Sequence, residues 1–145
     1  MNKILIALIL AAPAFFLVSP LRASEETRPK EGRVITTVTP RVEFYVTPER
    51  RVRLTFLDAA GMPMTPGAQV VTLTAGERSA PTKLAFDREG DALISRSALP
   101  EGSGYPLVLQ IKSTPEAKTD YVRFNLNLSS CPGCNRMEYA CTCEH

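Results

Sequence analysis

The chain closes on 131-CPGCNRMEYACTCEH-145, a stretch that holds all four of its cysteines and its only histidine. The spacing is C-x2-C-x6-C-x-C, with His145 two residues beyond Cys143. Three chemistries compete for such a cluster. The first is metal ligation. Pro132 and Gly133 turn the chain so that Cys131 and Cys134 face one point, and six residues return it to Cys141 and Cys143. Four thiolates within thirteen residues can close a tetrahedron around Zn²⁺, or offer two or three donors to Cu(I), and His145 can stand in for one thiolate. Short loops keep the entropic cost of assembling the site low. Met137 and Tyr139 lie inside the loop, placed to pack the site or to shield an ion from water, and Arg136 offsets part of the charge of four thiolates. The second pair, C-x-C, departs from the usual zinc pattern of two C-x2-C pairs.

The second chemistry is a pair of disulfides. Four cysteines allow three connectivities. Local pairing makes Cys141–Cys143 a very small, strained ring, whereas crossed pairing of Cys131 or Cys134 with Cys141 or Cys143 would staple the tail into a knot. The third is thiol–disulfide exchange at the C-x-x-C pair, which needs a depressed thiol pKa. Oxidoreductases commonly obtain that from a helix N-terminus, and here the pair follows a strand. The spacing favours metal, because C-x-C is awkward for a disulfide and ordinary for thiolate ligands.

The elements that must carry this tail begin with an export signal. Residues 1–23, MNKILIALILAAPAFFLVSPLRA, have a basic start at Lys3, an apolar run from Ile4 to Val18 and a small-residue end, the layout of a cleavable signal peptide with its helical apolar segment. A spanning helix needs about 20 apolar residues, and this run of fifteen contains Pro13, so no stable membrane anchor is expected after cleavage. The expected location is periplasmic or secreted, where disulfides are serious competitors for thiols.

Lys3 and Arg22 leave with the signal, so 17 basic against 15 acidic residues become 15 against 15. A neutral chain without a basic stripe is a poor ligand for nucleic acid. The run 50-RRVR-53 alternates with apolar residues and is expected on the solvated face of a strand. Residues 24–32, SEETRPKEG, read as a flexible lead-in.

From Val34 onward the pattern has period two. Val42 and Phe44, then Val52, Leu54 and Phe56, then Leu84 and Phe86, each fall on one face. So do Tyr105, Leu107, Leu109 and Ile111, and Val122, Phe124, Leu126 and Leu128. Turn-rich stretches separate these runs, including 87-DREGD-91, whose three acids do not match a calcium loop and are expected in a hairpin turn. Met62 and Met64, in 61-GMPM-64, are expected to pack as a loop onto the end of the fold rather than to bind Cu(I). Seven or eight short strands and no long 3.6-period segment outside the signal predict an all-β, antiparallel, Ig-like β-sandwich over 33–130, followed by the cysteine-rich tail 131–145. The strands look complete near Leu128, which makes the tail an appended site.

The runs 52-VRLTFLDAAGMPMTPGAQVVTLTA-75 and 90-GDALISRSALPEGSGYPLVLQIK-112 pair a D-x-x-G-x-P turn with a G-D-x-L strand, an LP-x-G corner and a strand opened by Tyr105. Over residues 42–128 the chain resembles the small exported Ig-like domains found alone or attached to periplasmic adaptors of heavy-metal efflux systems. That resemblance implies an accessory protein rather than an enzyme, an association with copper or other soft metals, and an efflux component as a periplasmic partner. It does not extend to the tail.

A lone terminal histidine cannot support a Ser-His-Asp arrangement, and no phosphate loop or catalytic pair of carboxylates stands out. The sequence therefore predicts a non-enzymatic, exported binder of Zn or Cu(I), a carrier, buffer or efflux accessory, with Cys131, Cys134, Cys141, Cys143 and His145 as donors. A disulfide-knotted interaction module is the alternative, and a thiol–disulfide exchange protein is a third reading.

Overall fold

The computed structural model describes residues 31–144. The expected signal segment, most of the lead-in and His145 lie outside the described residues. Among those described, no helix is long and apolar enough to cross a membrane.

The fold is all-β. Among the described residues nine strands form in chain order: β1 (Arg33–Ile35), β2 (Arg41–Val46), β3 (Val52–Leu57), β4 (Pro63–Met64), β5 (Val70–Ala75), β6 (Thr82–Glu89), β7 (Ala92–Ser95), β8 (Gly104–Lys112) and β9 (Asp120–Asn127). A single 3₁₀ turn, Glu138–Ala140, follows them. Every pairing is antiparallel. The strands join into one continuous path, β1-β2-β3-β7-β6-β5-β8-β9, with β4 hanging on β3. Two strands more than the lower expected count are the three-residue β1 and the two-residue β4, both too short to show a period.

Strand β6 makes the path continuous. Its first half, Thr82–Ala85, pairs with β5, and its second half, Phe86–Glu89, pairs with β7. The sheet curls about this strand into a half-barrel. Its distant ends consequently face each other. Phe44 of β2 meets Phe124 of β9 edge-to-face at 5.2 Å, and the Arg33 guanidinium of β1 lies over the same Phe124 ring at 4.9 Å.

The period-two faces land as the sequence predicts. Val42, Phe44, Val52, Leu54, Phe56, Leu84, Leu107, Leu109, Ile111 and Leu126 are buried in one apolar cluster, with Phe86, Tyr105, Val122, Phe124 and Leu128 packed against it. Met64 also packs there, while Met62 is exposed. The 87–91 stretch turns through Gly90 and Asp91, with Gly90 at φ +62° and Glu89 opposite Ala92. Its three acids are taken by cross-strand arginines: Asp87 by Arg96, Glu89 by Arg51 and Asp91 by Arg53. Two of the arginines of 50-RRVR-53 are thus part of a surface charge ladder, and such exposed pairs add little stability.

The tail is not an appendage to this core. Tyr139 and Ala140 are each 3% exposed and belong to the same apolar cluster, and Cys131 is fully buried. The Tyr139 ring stands edge-on to Phe44, at 5.9 Å and 82°. Its hydroxyl accepts a hydrogen bond of 2.9 Å from the backbone N–H of Val46, at the end of β2. The 3₁₀ turn lies against both β1 and β9, the two edges of the path. The tail therefore lies where the curled sheet would otherwise leave core residues uncovered.

Candidate metal centre

After β9 the chain makes a second, tighter hairpin. Leu128 N–H donates to Ser103 O at 2.8 Å, which keeps the chain on the sheet past the last strand residue. Ser130 and Met137 then form an isolated antiparallel bridge. Cys131 N–H donates to Arg136 O at 2.7 Å, Asn135 N–H to Cys131 O at 2.9 Å, and Glu138 N–H to Ser129 O at 2.8 Å. Residues 131–136 are thus clamped into a compact loop. Asn135 closes it at φ +56°, a left-handed conformation that asparagine tolerates better than most side chains. The 3₁₀ turn, with Ala140 N–H on Met137 O and Cys141 N–H on Glu138 O, brings the chain back to the loop.

These two segments bring the four sulfurs together. All four Sγ atoms of Cys131, Cys134, Cys141 and Cys143 lie within 4.8 Å of one another, and the group could hold a metal ion. Cys141 Sγ is 3.2 Å from Cys131 Sγ and 3.6 Å from Cys134 Sγ. A zinc–sulfur bond of about 2.3 Å sets the edge of a four-thiolate tetrahedron at about 3.8 Å. Both separations are somewhat shorter than that edge, and the 4.8 Å limit of the group leaves room for it. Cys141 Sγ thus has two sulfur neighbours within one group of four.

The backbone is aimed at the sulfurs. Cys131 Sγ accepts from the N–H groups of Gly133 and Cys134, Cys134 Sγ from that of Arg136, and Cys141 Sγ from that of Cys143. Oriented N–H groups of this kind favour the thiolate, as in any backbone anion nest. Space at Gly133 is tight: a Cβ there would stand 3.3 Å from Cys143 Sγ, which would have to give by a few tenths of an ångström, and in ordinary contact with Cys131 Sγ at 3.8 Å.

The thiol pKa values divide accordingly. The Arg136 N–H brings Cys134 down to about 7. The Cys141 sulfhydryl and the Gly133 N–H lower Cys131. Cys141 feels the opposing pull of the Cys143 N–H, but its hydrogen bond to the Cys131 sulfur and burial push it up to about 12. The hydrogen bond to Cys134 raises Cys143. The site thus lowers two of its thiols, Cys131 and Cys134, and raises the other two, Cys141 and Cys143. Tyr139, between the two halves of the site, is pushed up to about 12 by burial, so its hydroxyl stays protonated as a structural group.

Four of the five donors predicted from sequence thus converge, and the fifth, His145, lies outside the described residues. Met137 is 45% exposed and Tyr139 buried, so only the second packs the site onto the sheet. Spacing alone did not reveal the N–H donors or the close approach of Gly133 to two sulfurs, although Asn135 directly after Cys134 is a readable sign of a left-handed closure. Cys131 follows a strand, and among the described residues the only helical element is the three-residue 3₁₀ turn, so no helix N-terminus serves the C-x-x-C pair. Compared with protein-family models, with curated proteins and with solved structures, the chain matches none.

Proposed function

We propose that this chain is a tetrathiolate metal-binding protein whose ion is Zn²⁺, held by Cys131, Cys134, Cys141 and Cys143. The observation that carries this reading is the mutual approach of all four sulfurs within 4.8 Å, with separations about the edge of a zinc tetrahedron. A closed set of four thiolates suits Zn²⁺ better than Cu(I), which is satisfied by two or three, and it leaves no open position for catalysis. The role is binding and not enzymatic: a carrier, buffer or efflux accessory in an exported compartment. The signal-like segment 1–23 and the resemblance over 42–128 support the compartment and an efflux component as partner. The partly exposed Cys134, Cys141 and Cys143 support exchange of the ion with a partner. An Ig-like sandwich remains the scaffold we infer, supported by the contact of Phe44 and Phe124 across the shared core.

Reconstitution of the reduced protein with Zn²⁺, Cu(I) and Co²⁺ tests this reading. One zinc per chain is expected, together with a tetrahedral thiolate spectrum for cobalt. Tighter retention of two or more Cu(I) per chain would replace zinc by copper, and no retained metal would refute the reading.

A further inference from the structure

We propose that the site trades its zinc for two crossed disulfides, Cys131–Cys141 and Cys134–Cys143, when it meets a disulfide-bearing oxidant. This rests on the zinc reading above and adds an exchange activity to it. The pairing follows from geometry. Cys141 Sγ approaches Cys131 Sγ at 3.2 Å, closer than it approaches Cys134 Sγ at 3.6 Å. A disulfide needs about 2.05 Å, so Cys131 and Cys141 close with a shift of little more than 1 Å. The remaining pair, Cys134 and Cys143, lies within the same 4.8 Å group. The competing local pairing would force Cys141 and Cys143, one residue apart, into a strained ring.

Exposure orders the steps. Cys131 is fully buried, while Cys134, Cys141 and Cys143 reach the surface in part. An external disulfide therefore meets Cys141 first in its pair. The Cys141 thiolate attacks one sulfur of the oxidant and expels a thiolate. Cys131 then attacks Cys141 in the mixed disulfide and expels the second thiolate. Cys143 and Cys134 repeat the sequence. In total four electrons leave the four protein sulfurs, two external disulfides become four thiolates, and zinc leaves as Zn²⁺. Charge balances without proton transfer, since the zinc tetrathiolate carries two negative charges and the products sum to the same.

The full chain, reduced and loaded with Zn²⁺, is treated with oxidised glutathione in the presence of a chromogenic zinc chelator. Free thiols are alkylated and disulfide peptides mapped. One zinc released for every four thiols lost, with Cys131–Cys141 and Cys134–Cys143 as the linked peptides, is expected. Zinc retained while thiols are consumed, release with only glutathione adducts, or a Cys131–Cys134 and Cys141–Cys143 pattern would overturn the proposal. Removing one partner gives a second readout: in C134S, Cys143 is expected to keep its glutathione adduct while Cys131–Cys141 still closes. Pairing of Cys143 with either remaining cysteine in that variant would overturn the assignment. Failure of the reduced chain to bind zinc at all would refute the metal reading itself, an outcome visible before the oxidant is added.

Discussion

Replacement of Tyr139 separates two roles that the structure assigns to one residue. Its ring is core, 3% exposed and edge-on to Phe44, and its hydroxyl takes the Val46 N–H at 2.9 Å. In the chain it also stands between the proposed ligands Cys134 and Cys141. Y139F removes only the hydroxyl and leaves a partly buried N–H without that partner, a cost of about 1 kcal/mol. Y139A removes the ring as well, and deleting a buried aromatic costs about 3–5 kcal/mol, or roughly 10–20 °C in Tm for a domain of this size. The coupling is the sharper test. Zinc at 1,000 times its Kd stabilises a fold that contains its site by about 4 kcal/mol. If Tyr139 ties the site to the sheet, denaturant unfolding of the wild type shows that increment. In Y139A the tail is released, and zinc no longer raises the unfolding midpoint of the sheet. An unaltered apo midpoint in Y139A, or a full zinc increment retained there, would refute the claim that the tail is part of the core.

Three further outcomes are expected. Zinc binding, followed by calorimetry in buffers of different ionisation enthalpy, should release protons at pH 8, chiefly those held by Cys141 at about 12 and by the raised Cys143. Below pH 7, where Cys134 also takes its proton, more are released and affinity falls more steeply. G133A should weaken zinc affinity by about tenfold in a competition titration, because its Cβ crowds Cys143 Sγ at 3.3 Å. S95A should destabilise the fold by about 1–3 kcal/mol in chemical denaturation, since the fully buried Ser95 hydroxyl accepts from Val52 N–H at 2.9 Å and donates to Ser97 O at 2.8 Å.

Much of the scaffold is readable from period-two alternation, because β8 and β9 each set one face on the core and the other in water. The exceptions have physical causes. All four residues of β7 are buried, so it shows no alternation at all. Strand β4 is two residues long and β1 three. The division of β6 between two partners is a matter of curl, set by side-chain packing rather than by local propensity. Docking of the tail was legible only as an option, since Tyr139 sits in a short segment without period and finds Val46 across 93 residues of chain. The clustering of the four cysteines was plain in the spacing. Their backbone N–H groups were not, because those depend on a loop conformation closed by Asn135 and by the bridge between Ser130 and Met137.

Counting metal and thiols on the same sample tests the central claim most directly. The protein is purified under conditions that neither add metal nor oxidise, its zinc is measured, and its thiols are titrated under denaturing conditions with and without chelator. One zinc per chain, with four thiols that become titratable when the ion is removed, is the predicted result. No metal and no free thiol would contradict the account and leave the cysteines as a disulfide knot.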